Sequence, residues 1–331
     1  EPRDEGLHTY TINVDGAEMP DPNGIVFGSS GARVRNGIEI PAADQDFYAL
    51  KNVPHGQIRQ VRYFAKSSGA MRHIHVYTPP DYDKDVTKRF PVLYLQHGTG
   101  EDETFWGGFA GRAGLILDNL IAEGKAKSFI IVMESSQNNG TLLGGATPPP
   151  AAAPAAAPAA GGAAAPGGRG PGANPAFERV IVEDLIPFID ANFRTLANRE
   201  HRGMAGLSLG GMQTRSIGLK HLELFSQIGV FSGGSVTAEE AAAIPDFKNK
   251  VKVLFVSYGS REIDAPARGG APGTAAPAGG RGGNGRSAKS DIEALKQAGI
   301  NAHFYVSPQT AHEWQTWRRS FYQFAPLAFR E

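Results

Sequence analysis

The chain has 331 residues, enough for one large α/β domain and a smaller companion. Its 33 basic and 33 acidic residues cancel, so it offers no electrostatic footprint for nucleic acid or an anionic membrane surface. The absence of cysteine excludes disulfides, thiolate metal sites and a cysteine nucleophile, and no apolar run approaches the length of a membrane span.

Residues 1–69 read as β-rich. Thr9-Tyr10-Thr11-Ile12-Asn13-Val14 is strand-like and Asp15-Gly16 a turn, with further short strands expected near 33–40, 47–50 and 57–65. Four such strands fall short of the roughly seven of a free-standing sandwich, so this stretch reads as a partial module. From His73 onward, strands alternate with helices. Strands are expected at 74–77, 92–96, 129–133, 203–207, 227–231, 251–257 and 302–306. Helices are expected at 113–123, 177–192, 210–220, 290–298 and 315–324, the second kinked at Pro187. That alternation predicts an α/β domain built on a mainly parallel sheet over residues 70–331.

Two Ala/Pro/Gly segments, 146–175 and 265–287, interrupt the order. They cannot bury a core and read as surface loops. Each follows a strand and so leaves from the carboxyl edge of the sheet, where ligands bind in open α/β folds.

The chemistry centres on Ala205-Gly206-Leu207-Ser208-Leu209-Gly210-Gly211, a G-x-S-x-G between an apolar strand and a helix. A sharp strand-to-helix turn there lifts the Ser208 hydroxyl above the sheet as a nucleophile, and the N–H of Leu209 at the helix start faces a developing oxyanion. A serine hydroxyl needs a base, and the base an orienting acid, in the chain order Ser, acid, His. His312 sits just after the strand 302–306 and is the expected base; His303 lies inside that strand and is expected to pack. The strand 251–257 runs into Tyr258-Gly259-Ser260-Arg261-Glu262-Ile263-Asp264, where either Glu262 or Asp264 suits the acid. The strand 92–96 runs into His97-Gly98-Thr99-Gly100, so the second oxyanion donor is expected from the N–H of Thr99, with His97 structural beside it. Trp106 and Gln213 are the candidate substrate contacts, while Trp314 and Trp317 are expected to pack the C-terminal helix.

Several separate segments carry a resemblance: Val76-Tyr77-Thr78-Pro79-Pro80-Asp81-Tyr82, Phe90-Pro91-Val92-Leu93-Tyr94-Leu95-Gln96-His97-Gly98, Asp118-Asn119-Leu120-Ile121-Ala122-Glu123-Gly124-Lys125, the Ser208 turn, and His312-Glu313-Trp314 with Trp317-Arg318. In this order they resemble the feruloyl and acetyl-xylan esterases of carbohydrate esterase family 1, within the esterase D-like group. The resemblance implies an α/β-hydrolase fold for residues 70–331 and a serine ester hydrolase needing no metal or cofactor. It would release hydroxycinnamate or acetate from plant cell-wall polysaccharide, or cleave a small aromatic ester, in a secreted or periplasmic setting. It supports His312, Thr99 and Leu209, and it maps the acid three residues after Gly259, to Glu262. The family more often carries Asp there, which leaves Asp264 in contention, and the alanine-rich insertions depart from the family pattern. Alternatives are a siderophore or other small-molecule esterase and, from another class, a non-catalytic glycan-binding protein on a hydrolase scaffold. The N-terminal stretch is similar to the second half of the immunoglobulin-like family 48 carbohydrate-binding modules. That likeness implies a carbohydrate contact, although a structural role is the stronger expectation for a partial module.

Overall fold

The computed structural model describes residues 4–27, 35–136, 174–264 and 284–330. Among these, thirteen strands are formed: β1 (Gly6–Tyr10), β2 (Ile12–Val14), β3 (Ala17–Met19), β4 (Ile25–Phe27), β5 (Arg35–Ile40), β6 (Gln57–Ala65), β7 (Ala70–Thr78), β8 (Val92–Gln96), β9 (Ile130–Glu134), β10 (Arg202–Leu207), β11 (Gln227–Phe231), β12 (Val253–Gly259) and β13 (Ala302–Ser307). The last eight build one sheet in the order β13-β12-β11-β10-β8-β9-β7-β6. Strands β8 to β13 run parallel, and β7 and β6 close one edge antiparallel. This is the α/β-hydrolase architecture. The order reverses direction at β8: the chain steps outward to β9 on one side, then crosses back to β10 on the other. A crevice outside the carboxyl ends of β8 and β10 is therefore built into the topology.

The helices are α1 (Thr104–Gly107), α2 (Ala113–Ala122), α3 (Pro175–Arg179), α4 (Ile186–Asn192), α5 (Leu209–Lys220), α6 (Ala238–Ala243), α7 (Phe247–Lys250), α8 (Ser260–Asp264), α9 (Asn284–Gln297) and α10 (Trp314–Phe324). The central strands are buried on both faces, and alternation sorts their side chains into two cores. Val92, Tyr94, Ile130 and Val132 face the helices between 175 and 192 together with α9. Leu93, Leu95, Ile131 and Met133 face α1, α2 and α10. The kink expected at Pro187 takes the form of π-type winding over Val180–Leu185, just N-terminal of it. The proline ring has no N–H to donate and crowds the preceding turn, so the backbone widens there.

The N-terminal strands differ from expectation in two places. Strand β6 pairs with β7 along its whole length, so the large sheet begins at Gln57 and not near residue 70. Residues 45–48 form a 3-10 turn instead of a strand, because Phe47 and Tyr48 reach down into the core beside α2 and α10. What remains is a three-stranded antiparallel sheet, β1-β5-β4, and a β2-β3 hairpin. This small sheet is clamped to α10. Arg318 donates to both carboxylate oxygens of Glu39, and Arg319 to both of Asp44. Apart from their final positions, which open α3 and α9, the segments 146–175 and 265–287 lie outside the described residues. Among the described residues, no helix is long and apolar enough to cross a membrane.

Candidate active site

Ser208 stands between β10 and α5 with φ 52° and ψ −116°, a backbone conformation that non-glycine residues rarely adopt. Two glycines make the turn possible by their lack of bulk. A Cβ on Gly210 would lie 2.4 Å from the carbonyl oxygen of His97, and one on Gly206 would lie 2.6 Å from the backbone of Gly210. The left-handed residue of the turn is thus the serine itself, anchored by its N–H to the Phe231 carbonyl at 2.8 Å. Leu209 opens α5, so its N–H has no carbonyl within the helix ladder to meet and is free to face an anion.

His312 reaches Ser208 from the loop after β13. Its Nε2 lies 2.8 Å from Ser208 Oγ, and its Nδ1 2.7 Å from Glu262 Oε1. A carboxylate can only accept, so Nδ1 carries the proton and Nε2 is left to accept from the serine hydroxyl. Glu262 is 8% exposed, and its second oxygen accepts from the Gly259 N–H at 2.7 Å and the Ser232 hydroxyl at 2.8 Å. Gly259 is needed because a Cβ there would lie 2.5 Å from the Thr310 carbonyl oxygen, where the β12 end passes under the histidine loop. That loop is also held by the Thr316 hydroxyl, which donates to the Ala311 carbonyl, and by the Arg261 N–H on Thr310. Asp264 closes α8, and its side chain lies outside the described residues. Of the two candidate acids it is Glu262 that meets the imidazole.

The turn after β8 lies beside the serine: a Cβ on Gly98 would lie 3.4 Å from Ser208 Cβ. Glu101 N–H approaches the Gly98 carbonyl, and Gly100 has φ 80°, as the third residue of a type II turn requires. Thr99 sits at the exposed apex of that turn. His97 beneath it is buried, which pushes its imidazole below the ordinary range. Its Nδ1 meets the Gly98 carbonyl, and its Nε2 accepts from the Ser136 N–H.

Both candidate substrate contacts require correction. Trp106 is 1% exposed, with its ring packed among Phe231, Trp314 and Phe321 and its N–H given to the Gln96 carbonyl. It belongs to the core, enclosed by these rings. Gln213 is 2% exposed on α5 and points into the interior. His303 lies in β13 and engages Asn301, away from the serine. Three contributors escaped the sequence reading. Ser232, with φ 48°, braces Glu262. Trp317 packs the helix as expected, and it also sets its ring edge-on to His312 at 5.0 Å while donating to Ser232. Glu101 holds the Gly98 N–H at 2.8 Å. A signal existed for Ser232 and Glu101, since each follows a strand whose carboxyl end borders the β8–β10 crevice.

A strained serine on a strand–helix turn, hydrogen-bonded through a histidine to a carboxylate above a mainly parallel sheet, defines the serine-hydrolase class of α/β-hydrolases. The chain belongs to the Esterase family, whose model matches residues 65–327. It is 40% identical over 334 residues to an endo-1,4-beta-xylanase/feruloyl esterase of Xylanibacter ruminicola, covering 99% of this chain and 39% of that protein. It is 23% identical over 290 residues to endo-1,4-beta-xylanase Y of Acetivibrio thermocellus, covering 78% of this chain and 22% of that one. The chain therefore spans well under half the length of these two relatives. Among solved structures, the feruloyl esterase module of Clostridium thermocellum complexed with sinapinate superposes with a TM-score of 0.62 at 22% identity, covering 88% of this chain and 94% of that one. The enterobactin esterase of Shigella flexneri gives 0.60 at 16% identity, covering 94% and 69%. These two likenesses are of fold.

Proposed function

We propose that this chain is a feruloyl esterase that frees hydroxycinnamates from plant cell-wall polysaccharide through an acyl-enzyme. The observation that carries the reading is the continuous hydrogen-bonded chain Ser208–His312–Glu262 at 2.8 and 2.7 Å, in a sequence 40% identical to a xylanase/feruloyl esterase. The Ser208 oxygen attacks the ester carbonyl carbon while His312 Nε2 takes the hydroxyl proton. Glu262 holds the imidazole in the accepting tautomer and stabilises the imidazolium that forms. The N–H groups of Leu209 and Thr99 receive the oxyanion. Collapse breaks the bond to the sugar oxygen, which leaves with the proton from His312. Water activated by the same imidazole then hydrolyses the acyl-serine and releases the free acid.

A polymeric wall substrate does not enter cells, so this reading places the protein outside the cytoplasm, secreted or periplasmic. The clamps from Glu39 and Asp44 to α10 support a structural role for the N-terminal sheet, with any carbohydrate contact there secondary.

The test is a panel of methyl ferulate, acetylated xylan, 4-nitrophenyl acetate and a catecholate siderophore ester, assayed with wild type and Ser208→Ala. Preferential release of ferulate, lost by 10⁴-fold or more in the variant, is expected on the order seen when a triad is broken. Faster turnover of the siderophore or of acetyl groups would reassign the substrate. Wild-type rates in Ser208→Ala would reject the nucleophile, and binding of xylan without turnover of any ester would favour the glycan-binding alternative.

A further inference from the structure

Going beyond the esterase reading, on which it rests, we propose that Glu101 is a positioning residue that holds the oxyanion turn beside the nucleophile. Its Oε2 accepts the Gly98 N–H at 2.8 Å from within the same turn. The Trp314 indole, on the first residue of α10 and two positions after His312, favours the ionised form of the same carboxyl group, against the larger effect of burial.

The geometry leaves little freedom on the far side. A methyl group on Gly98 would lie 3.3 Å from Glu101 Oε2, 3.4 Å from Ser208 Cβ and 2.7 Å from Leu207 Cδ1. The carboxyl group and the nucleophile therefore flank the same backbone atom. Trp314 is itself fixed, packed against Phe105, Trp106 and Trp317. Burial, with Asp102 adding a smaller push, raises the Glu101 carboxyl to about 7. That is a strong environmental demand on a residue with no part in the proton relay. An oxyanion donor stabilises charge only from a narrow range of positions, and a shift of about 1 Å costs on the order of a hundredfold. Without the clasp, the turn loses the contact that sets the height of the Thr99 N–H over Ser208.

The experiment measures kcat and KM of Glu101→Gln, Glu101→Leu and Glu101→Asp on 4-nitrophenyl acetate and methyl ferulate. Gln keeps an accepting oxygen at the same reach and is expected to stay within about threefold of wild type. Leu removes the acceptor and Asp withdraws it by one methylene. Both are expected to lose kcat on the order of tenfold to a hundredfold on both esters, with KM nearly unchanged. Asp decides the matter should Leu fail to fold. A wild-type kcat in Asp overturns the inference, as does a Gln variant as impaired as Leu, or a loss confined to KM on methyl ferulate. If wild type cleaves 4-nitrophenyl acetate but not methyl ferulate, the feruloyl assignment falls, and the acetate data still judge Glu101. Inactivity on both esters overturns both.

Discussion

Ser232 gives its hydroxyl proton to Oε2 of Glu262 across 2.8 Å, while the other oxygen of that carboxylate engages His312 at 2.7 Å. The brace fixes the plane of the acid, and with it the ring. Ser232→Ala should lower kcat on methyl ferulate about tenfold with KM unchanged. Glu262→Gln should cost far more, approaching the order of 10⁴, since an amide nitrogen facing Nδ1 favours the wrong tautomer. Equal losses in the two variants would contradict this ranking.

The turn under Ser208 tolerates no added methyl group. A Cβ on Gly210 meets two backbone carbonyls, of His97 and Gln96, at 2.4 and 2.6 Å. Neither can rotate away, so Gly210→Ala should lower the unfolding free energy by about 2–3 kcal/mol or more. Urea denaturation of wild type and variant checks this; an unchanged midpoint would mean that the strand end yields more readily than its packing implies.

Arg318 is fully buried, with its guanidinium shared among Glu39 and the carbonyls of Phe109 and Ala110. Arg112 also approaches Glu39, at 3.6 Å, so one carboxylate separates two guanidiniums. Glu39→Gln should cost about 3 kcal/mol, the low end for a broken buried pair because Glu39 lies nearer the surface. The double variant Glu39→Leu/Arg318→Met should recover part of that loss in thermal melts. A double variant less stable than Glu39→Gln would show that the pair is worth more than its desolvation.

The Glu101 carboxyl, raised by burial from 4.5 to about 7, links stability to pH. The folded state holds a proton that the unfolded chain releases. Its contribution is fully present below pH 4.5 and is lost as the pH rises through about 7. The shift corresponds to roughly 3 kcal/mol at most. Buried Glu134, also raised to about 7, acts with the same sign. The difference between wild type and Glu101→Gln isolates the first group: wild type should lose stability relative to the variant between pH 4.5 and 8. Parallel stability curves would contradict the assignment.

The legible parts of this protein are those governed by local rules. Ser208 and His312 could be placed because the first lies on a strand-to-helix turn with its own glycine signal and the second follows the last strand. The central strands were visible as continuous apolar runs. Strand β6 was misassigned because an antiparallel edge strand exposed on one side alternates like a strand of a separate module. Trp106 was misread because an aromatic near a site looks the same in sequence whether it faces substrate or core.

By itself, the sequence located the candidate nucleophile, its candidate base and the strand ends that bring them together, since each depends on residues adjacent in the chain to a strand end. Only the tertiary structure brought Glu262 and Ser232 together with His312. Those contacts join residues distant in sequence: Glu262 to His312 across 50 positions and Ser232 to Glu262 across 30. Glu262 and Asp264 lie two apart in sequence, and the local pattern suits either as the acid. The meeting of Glu262 with His312 depends on the pairing of β12 with β13, which brings the two strand ends side by side.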